Sequence, residues 1–287
     1  MTLDPDDLPF APVLEANPQA KPFVKWAGGK KQLVPQIEPF LPEKMAHYYE
    51  PFTGGGAVFF HLANAGRFER ATLNDWNAEL VDTYRTIRDD PEDLIEKLSG
   101  RTVSKDEFLR MRRKNAKKLS PIDRAVRLIY LNKTCFNGLY RVNQKGQFNV
   151  PFGKWKKSPR VFEPENLRAC SAVLQDVEIL QGDFVEVVKQ AGAGDTVYLD
   201  PPYVPLNPTS NFSSYTSGGF TIRDQERLAL AFRELVERGV QVIQSNSDTP
   251  TIRELYRGFE MHEVMARRSI NSKGTKRGPV GELVIVA

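Results

Sequence analysis

The chain has 287 residues, 40% of them hydrophobic and 26% charged, which suits one soluble α/β domain or one such domain carrying a smaller insertion. No apolar run approaches the roughly 20 residues a membrane-crossing helix needs, and the acidic start from Met1 to Asp7 is no signal peptide, so a cytoplasmic protein is expected. The net charge of +4 conceals a segregation: Arg101 to Arg160 holds 17 Lys or Arg against three acids, +14 in all, and the remainder is −10.

Residues 1–20 are polar and rich in Pro and Ala, and read as a loosely ordered arm. From Phe23 to about Asp90 the pattern is βαβ: a strand ending at Phe52, a turn from Thr53 to Gly56, an apolar helix from Ala57 to Ala63, and a strand from Ala71 to Leu73. The middle section differs. Ser104 to Glu107 forms a capping box opening one helix, and Ser120-Pro121 opens another whose Ile122, Ala125, Val126 and Ile129 share a face. Leu139 to Val142 and Gln147 to Val150 predict two short strands of a hairpin around Asn143 to Gly146. Strand patterns at 177–180, 196–199, 240–244 and 283–286, alternating with helical patterns at 184–189 and 225–238, then resume the βα rhythm.

These elements predict a doubly wound, Rossmann-like α/β catalytic domain (21–90 and 169–287) with a mostly helical, basic insertion at 91–168. A one-sided charge of this length suits a phosphate-bearing partner, with a solvated helical face as the plain alternative. Cys135, Cys170, His47, His61 and His262 have neither metal-ligand nor disulfide spacing, so no metal site is expected.

In an open parallel sheet, ligands bind beyond the carboxyl ends of the strands. Gly54 and Gly56 fall in a turn at such an end, and Asp75 ends the next strand, where a carboxylate can hold ribose hydroxyls. The pair implies an adenosine-containing cofactor, although a glycine triplet can also be only a turn. Asp183, with Phe184 beside it, is a candidate for the adenine of that cofactor or simply a helix cap.

Asp200-Pro201-Pro202-Tyr203 follows the apolar strand 196–199 and belongs on the same rim. An aromatic amine is a poor nucleophile because its lone pair is delocalised into the ring. Two acceptors that take its two hydrogens free that lone pair for an electrophile. Asp200 supplies one acceptor and the Pro201 carbonyl the other, since neither Pro201 nor Pro202 has an amide hydrogen to compete. Tyr203 can stack on an extruded base.

At these residues the chain resembles the Dam-type DNA adenine-N6 methyltransferases. The likeness is carried in order by Phe23 to Lys30, Glu50 to Gly56, Asn74-Asp75, Asn132 to Arg141, Gly146 to Gly153, Asp200 to Tyr203, Asn211-Phe212 and Arg267 to Ile270, and runs from about Lys21 to Val286. The resemblance implies methyl transfer from S-adenosylmethionine to N6 of an adenine flipped out of double-stranded DNA, most simply within GATC, by a monomer. It assigns the cofactor to Trp26, Lys30, Glu50, Pro51, Phe52, Gly54, Gly56, Asp75, Asp183, Phe184 and Asp200. It also implies that Arg141 reads a guanine, Leu139 and Pro151 touch bases, and Phe136 beside Asn137 fills the gap left by the adenine. Lys25 reaches the first base pair, and Lys154, Lys156 and Lys157 are candidates for phosphate contacts, or idle surface charges. The family often has Tyr where Phe136 stands, and residues 1–20 have no counterpart in it.

Val204 to Phe220 is a candidate lid, or a plain surface loop. A cytosine-N4 methyltransferase, a DNA-binding module with a vestigial core and a nicotinamide-linked dehydrogenase remain as alternatives. The sequence leaves open whether the protein protects DNA against a partner nuclease or marks it for repair and replication.

Overall fold

The computed structural model describes residues 19–203, 219–267 and 279–287. Seven strands form one sheet in the order β3-β2-β1-β4-β5-β7-β6. They are β1 (Met45–Glu50), β2 (Phe68–Asp75), β3 (Val177–Gln181), β4 (Thr196–Leu199), β5 (Gln241–Ser247), β6 (Glu260–Arg267) and β7 (Pro279–Val286). The first five pair in parallel, and β7 runs antiparallel between β5 and β6. Chain order reverses between β1 and β4, and the crevice beyond their carboxyl ends is where such a sheet takes ligands.

Successive strand residues point to opposite faces, and the core divides accordingly. Tyr48, Tyr198, Ile243 and Val284 join a cluster built with α1 (Val34–Ile37), α2 (Ala57–Asn64), α3 (Ala78–Asp89), α4 (Pro91–Ser99), α5 (Lys105–Arg113), α6 (Pro121–Thr134) and α7 (Pro164–Leu174). Their neighbours Tyr49, Val197, Leu199, Val242, Leu283 and Ile285 join the cluster of α8 (Phe184–Val188), α9 (Ile222–Glu237) and α10 (Pro250–Leu255). The sheet is therefore covered on both faces, as the βα rhythm predicts.

The segment between α3 and β3 is seated on the sheet's helical layer. Buried Leu94, Phe108, Met111 and Val126 belong to the same cluster as the β1 and β2 side chains. Arg127 of α6, 2% exposed, pairs with Glu79 of α3 at 2.5 Å, and Arg124 pairs with Asp82 at 2.8 Å. These two arginines, counted in the basic stretch, are spent on packing.

The structure differs from the sequence reading in several places. Residues 1–18 of the expected arm lie outside the described residues, but Ala20 is 2% exposed and both its backbone groups bond Asn64, so the arm's end is part of the core. Ser104 caps α5 through the Glu107 amide, whereas the Glu107 carboxylate turns to Arg110 and Arg101. At 139–150 the chain reverses as expected, yet only Val142 and Phe148 form a bridge. The Asn143 side chain accepts from the Lys145 and Gln147 amides and closes an Asx turn in place of a longer ladder. β6 has no counterpart in the sequence reading. The lid segment 204–218, with Asn211 and Phe212, and residues 268–278 lie outside the described residues.

Candidate active site and DNA interface

At the carboxyl end of β1 the chain turns through Gly54 (φ +50°) and Gly56 (φ +67°), a backbone that side-chain-bearing residues rarely adopt. A Cβ on Gly54 would stand 2.7 Å from Trp26 Cδ1, so Trp26 lies directly over the turn. Trp26 in turn stacks on Tyr140 at 5.2 Å between ring centroids. The Gly54 amide donates to Asp75 Oδ2 at 3.0 Å and the Asn77 amide to Oδ1 at 2.8 Å. Burial pushes Asp75 up to about 6, against those two amides.

Beside Asp75, the Asn74 amide bridges the Pro51 and Gly182 carbonyls, tying the ends of β1 and β3. Asn74 Oδ1 is buried without a hydrogen-bond partner, and Asn74 lines a cavity of about 340 Å³ together with Gly182, Asp183 and Glu186. The glycine cradle, the half-buried Asp75 carboxylate and the unsatisfied Asn74 acceptor fit the adenosine end of the expected cofactor. Phe52 lies 5.2 Å from Phe184, and Phe220 meets both rings. Asp183 is already engaged: Oδ1 caps α8 through the Val185 amide, and Oδ2 pairs with Arg227 at 2.8 Å. Of the two readings of Asp183, these contacts are those of the helix cap.

Across the switch point, β4 delivers Asp200. Lys30, 4% exposed, reaches from the turn before α1 to within 2.7 Å of Asp200 Oδ1 and 2.8 Å of the Gly28 carbonyl. Its ammonium also lies 4.0 Å from Glu282 Oε2 of β7 and 4.7 Å from the centre of the Tyr203 ring. The Tyr203 hydroxyl donates to Glu282 at 2.6 Å. Burial raises Asp200 to about 6, with Lys30 opposing and the Glu282 charge adding to the rise. Glu50, 2% exposed and bonded by the Tyr48 hydroxyl at 2.7 Å, is pushed up to about 8 by burial.

Four residues near this rim are absent from the sequence reading's site candidates. Gln225 donates to the Pro202 carbonyl at 2.9 Å and accepts from Asn246 at 3.1 Å, fixing the proline turn to α9 and β5. Glu282 is the third. Trp76, next to Asp75, is a large apolar ring left 59% exposed, and a Trp directly after the strand-ending Asp75 was the signal that could have singled it out.

Of the remaining candidate residues, Phe136, Asn137, Pro151 and Lys25 meet around one tip. Phe136 is 47% exposed, and Asn137 is the one non-glycine at positive φ among the described residues (φ 57°). The tip is backed by Pro151 and Phe152: the Phe136 amide donates to the Pro151 carbonyl, and Cys135 bridges Phe152. Asn132, fully buried, clasps the backbone of Lys25 with both ends of its amide and also donates to the Gly138 carbonyl. The Lys25 stem crosses so closely over Gly138 that a Cβ there would meet Lys25 Cδ at 2.6 Å. Arg141 is exposed and held by Asn149 Oδ1 at 2.7 Å, while Leu139 is half-buried and Pro151, Lys154, Lys156 and Lys157 are exposed. Among the described residues, acids pair with Arg101, Arg110, Arg124, Arg127 and Arg160, and with none of Lys25, Arg141, Lys154, Lys156 or Lys157.

Residues 26–270 match the model of the D12 class N6 adenine-specific DNA methyltransferases. The chain is 44% identical over 273 residues to the type II methyltransferase M1.LlaDCHI of Lactococcus lactis subsp. cremoris, covering 92% of this chain and 94% of that one. It is 43% identical to the type II methyltransferase M.MjaIII of Methanocaldococcus jannaschii, over 90% and 96% of the two chains. With the DNA adenine methylase of Escherichia coli K12 the identity is 36%, over 91% and 93%. The chain belongs to the D12 class of N6 adenine-specific DNA methyltransferases. Its methyl donor is S-adenosylmethionine and its substrate is DNA, which sets aside the dehydrogenase reading, and the N6 adenine specificity of the family sets aside the cytosine-N4 one. Among the described residues no helix is long and apolar enough to cross a membrane.

Proposed function

We propose that the chain methylates adenine N6 within GATC in duplex DNA, with Asp200 and the Pro201 carbonyl as the acceptors that activate the amine. S-adenosylmethionine supplies the electrophilic methyl carbon on its sulfonium. Asp75 would accept the ribose hydroxyls, Phe52 and Phe184 would hold the adenine beside Asp183, and Trp26, Lys30, Glu50 and Pro51 would hold the amino-acid end. What most supports this reading is the half-buried Asp200 carboxylate, paired with buried Lys30, on the same rim as Asp75 across the sheet's switch point.

The adenine amine donates its two hydrogens to Asp200 and to the Pro201 carbonyl, and its lone pair forms the new N–C bond. Held there, the sulfonium would release the methyl and keep the C–S electron pair as a neutral thioether. The nitrogen then sheds one proton, and Asp200, raised to about 6 by burial, is basic enough to take it and pass it to water. No covalent enzyme intermediate is needed; positioning and electrostatics lower the barrier. Tyr203 stacks on the base, worth about 1–3 kcal/mol for a base on an aromatic platform.

Phe136, exposed on a tip whose Asn137 is held left-handed, occupies the gap left by the adenine. Arg141 forks to a guanine, Leu139 and Pro151 touch bases, Lys25 reaches the outer pair, and Lys154, Lys156 and Lys157 hold phosphates. On this reading residues 91–168 are a target-recognition segment of a cytoplasmic monomer, since one chain carries both the reactive rim and the unpaired cations. The test is methyl transfer to duplexes containing GATC and to duplexes with each base pair of the site replaced. Confinement to GATC is expected, and equal transfer to every variant would overturn the assignment.

A further inference from the structure

Asp200 must present a free oxygen to the amine, yet two strong donors sit against it. Lys30 already donates to Oδ1 at 2.7 Å, and the Tyr203 hydroxyl lies within reach of the same carboxylate. Glu282 stands behind both. Its Oε2 accepts the Tyr203 hydroxyl at 2.6 Å and lies 4.0 Å from the Lys30 ammonium. It is a lone acid at the rim end of an otherwise apolar run: Leu283, Val284 and Ile285 beside it are fully buried. A half-buried carboxylate in such a strand is costly unless its partners repay it.

We propose that Glu282 is a positioning residue that draws competing donors away from Asp200. It fixes the Tyr203 hydroxyl on itself and offers the Lys30 ammonium a second carboxylate, which leaves an Asp200 oxygen open to the base. The proposal rests on Asp200 being the amine's acceptor. Without Glu282 the Tyr203 hydroxyl has one carboxylate left to bond, and it occupies the oxygen that the amine needs.

The proposal has an electrostatic consequence. Asp200 is faced by Lys30 from the turn before α1, Glu282 from β7, Tyr203 from its own turn, Tyr198 from β4, and Glu50 with Tyr48 from β1. Removing Glu282 deletes a negative charge and frees a hydroxyl donor, and both changes favour ionised Asp200. The acid limb of kcat therefore moves to lower pH although turnover falls.

The test compares Glu282→Leu, Glu282→Gln, Tyr203→Phe and the double variant Glu282→Leu/Tyr203→Phe with wild type on unmethylated plasmid DNA. Asp200→Asn is measured alongside, and S-adenosylmethionine binding and thermal unfolding are followed in parallel. Glu282→Leu is expected to lose about tenfold or more in kcat, the worth of one misdirected charge-assisted hydrogen bond, with its acid limb shifted down and cofactor affinity held within about threefold. Glu282→Gln, which still accepts from Tyr203, should recover part of the loss, and adding Tyr203→Phe to Glu282→Leu should restore turnover towards that of Tyr203→Phe alone. Loss without a pH shift and without recovery in the double variant would overturn the proposal, as would wild-type kcat in Glu282→Leu. Full turnover in Asp200→Asn would instead bring down the reading on which the proposal rests.

Discussion

Buried Lys30 and half-buried Asp200 form an ion pair at 2.7 Å between the turn before α1 and the end of β4, 170 residues apart in the chain. The pair stands at the sheet's switch point. Lys30 holds Asp200 below the value to which burial alone would raise it, so the carboxylate sits at about 6. An acceptor tuned to that value is ionised at neutral pH and still basic enough to receive a proton.

The acid limb of kcat should therefore fall near pH 6, as Asp200 becomes protonated and ceases to accept. Replacing Lys30 by Met removes the cation that lowers Asp200, so the limb moves to higher pH whatever happens to its height. A pH profile of single-turnover transfer, with cofactor saturating, reads this, and a limb unmoved in Lys30→Met would contradict the pairing.

Glu50 predicts a stability effect separate from catalysis. It is raised from 4.5 to about 8, so between those values the folded protein holds a proton that the unfolded chain has lost. Stability from this group is complete below pH 4.5 and disappears as pH rises to about 8, with a slope of order 1.4 kcal/mol per pH unit as an upper bound. Glu50→Gln keeps an acceptor for Tyr48 and does not titrate. Cofactor-free wild type should lose stability relative to Glu50→Gln from pH 5 to pH 8 and then run parallel to it. Denaturant titrations across that range check the slope.

Gly54→Ala should fold and bind cofactor poorly. The new methyl meets Trp26 at 2.7 Å in a left-handed backbone, a strain of about 1–3 kcal/mol. Calorimetry should show S-adenosylmethionine affinity reduced by about tenfold or more. Undiminished affinity would remove Trp26 and the glycine turn from the cofactor site.

Two kinds of contact in the basic face should separate by salt. Arg141→Ala should cost about 1–3 kcal/mol and relax discrimination at a single base pair. Lys154→Ala should weaken all duplexes alike and lower the slope of log K against log salt by about 0.9. Binding titrations at several salt concentrations distinguish them, and a Lys154→Ala variant with altered sequence preference would contradict its role.

The chain announced its rim more clearly than its supports. β4 was legible end to end because a short apolar run meets a double proline, and α6 because Ser120-Pro121 caps a sided helix. β6 escaped because Glu260, His262 and Glu263 interrupt its apolar residues, as an edge strand tolerates. The hairpin reverses where the pattern predicts, but its strands are short: Asn143 spends its side chain on the turn, and the flanking chain meets in one bridge. Gln225, Asn246 and Glu282 carry no motif of their own. Each acts through a partner on another element, and such pairings exist only once the sheet has formed.

The account turns on Asp200 as the acceptor that makes adenine N6 nucleophilic. Its most direct test is transfer of labelled methyl to unmethylated GATC duplex by wild type and Asp200→Asn, followed by nucleoside analysis, with cofactor binding measured on both. The account predicts label in N6-methyladenine for wild type and a loss of at least about a hundredfold for Asp200→Asn, an amide that keeps the shape but not the basicity. Comparable N6-methyladenine from Asp200→Asn with intact cofactor binding would contradict it.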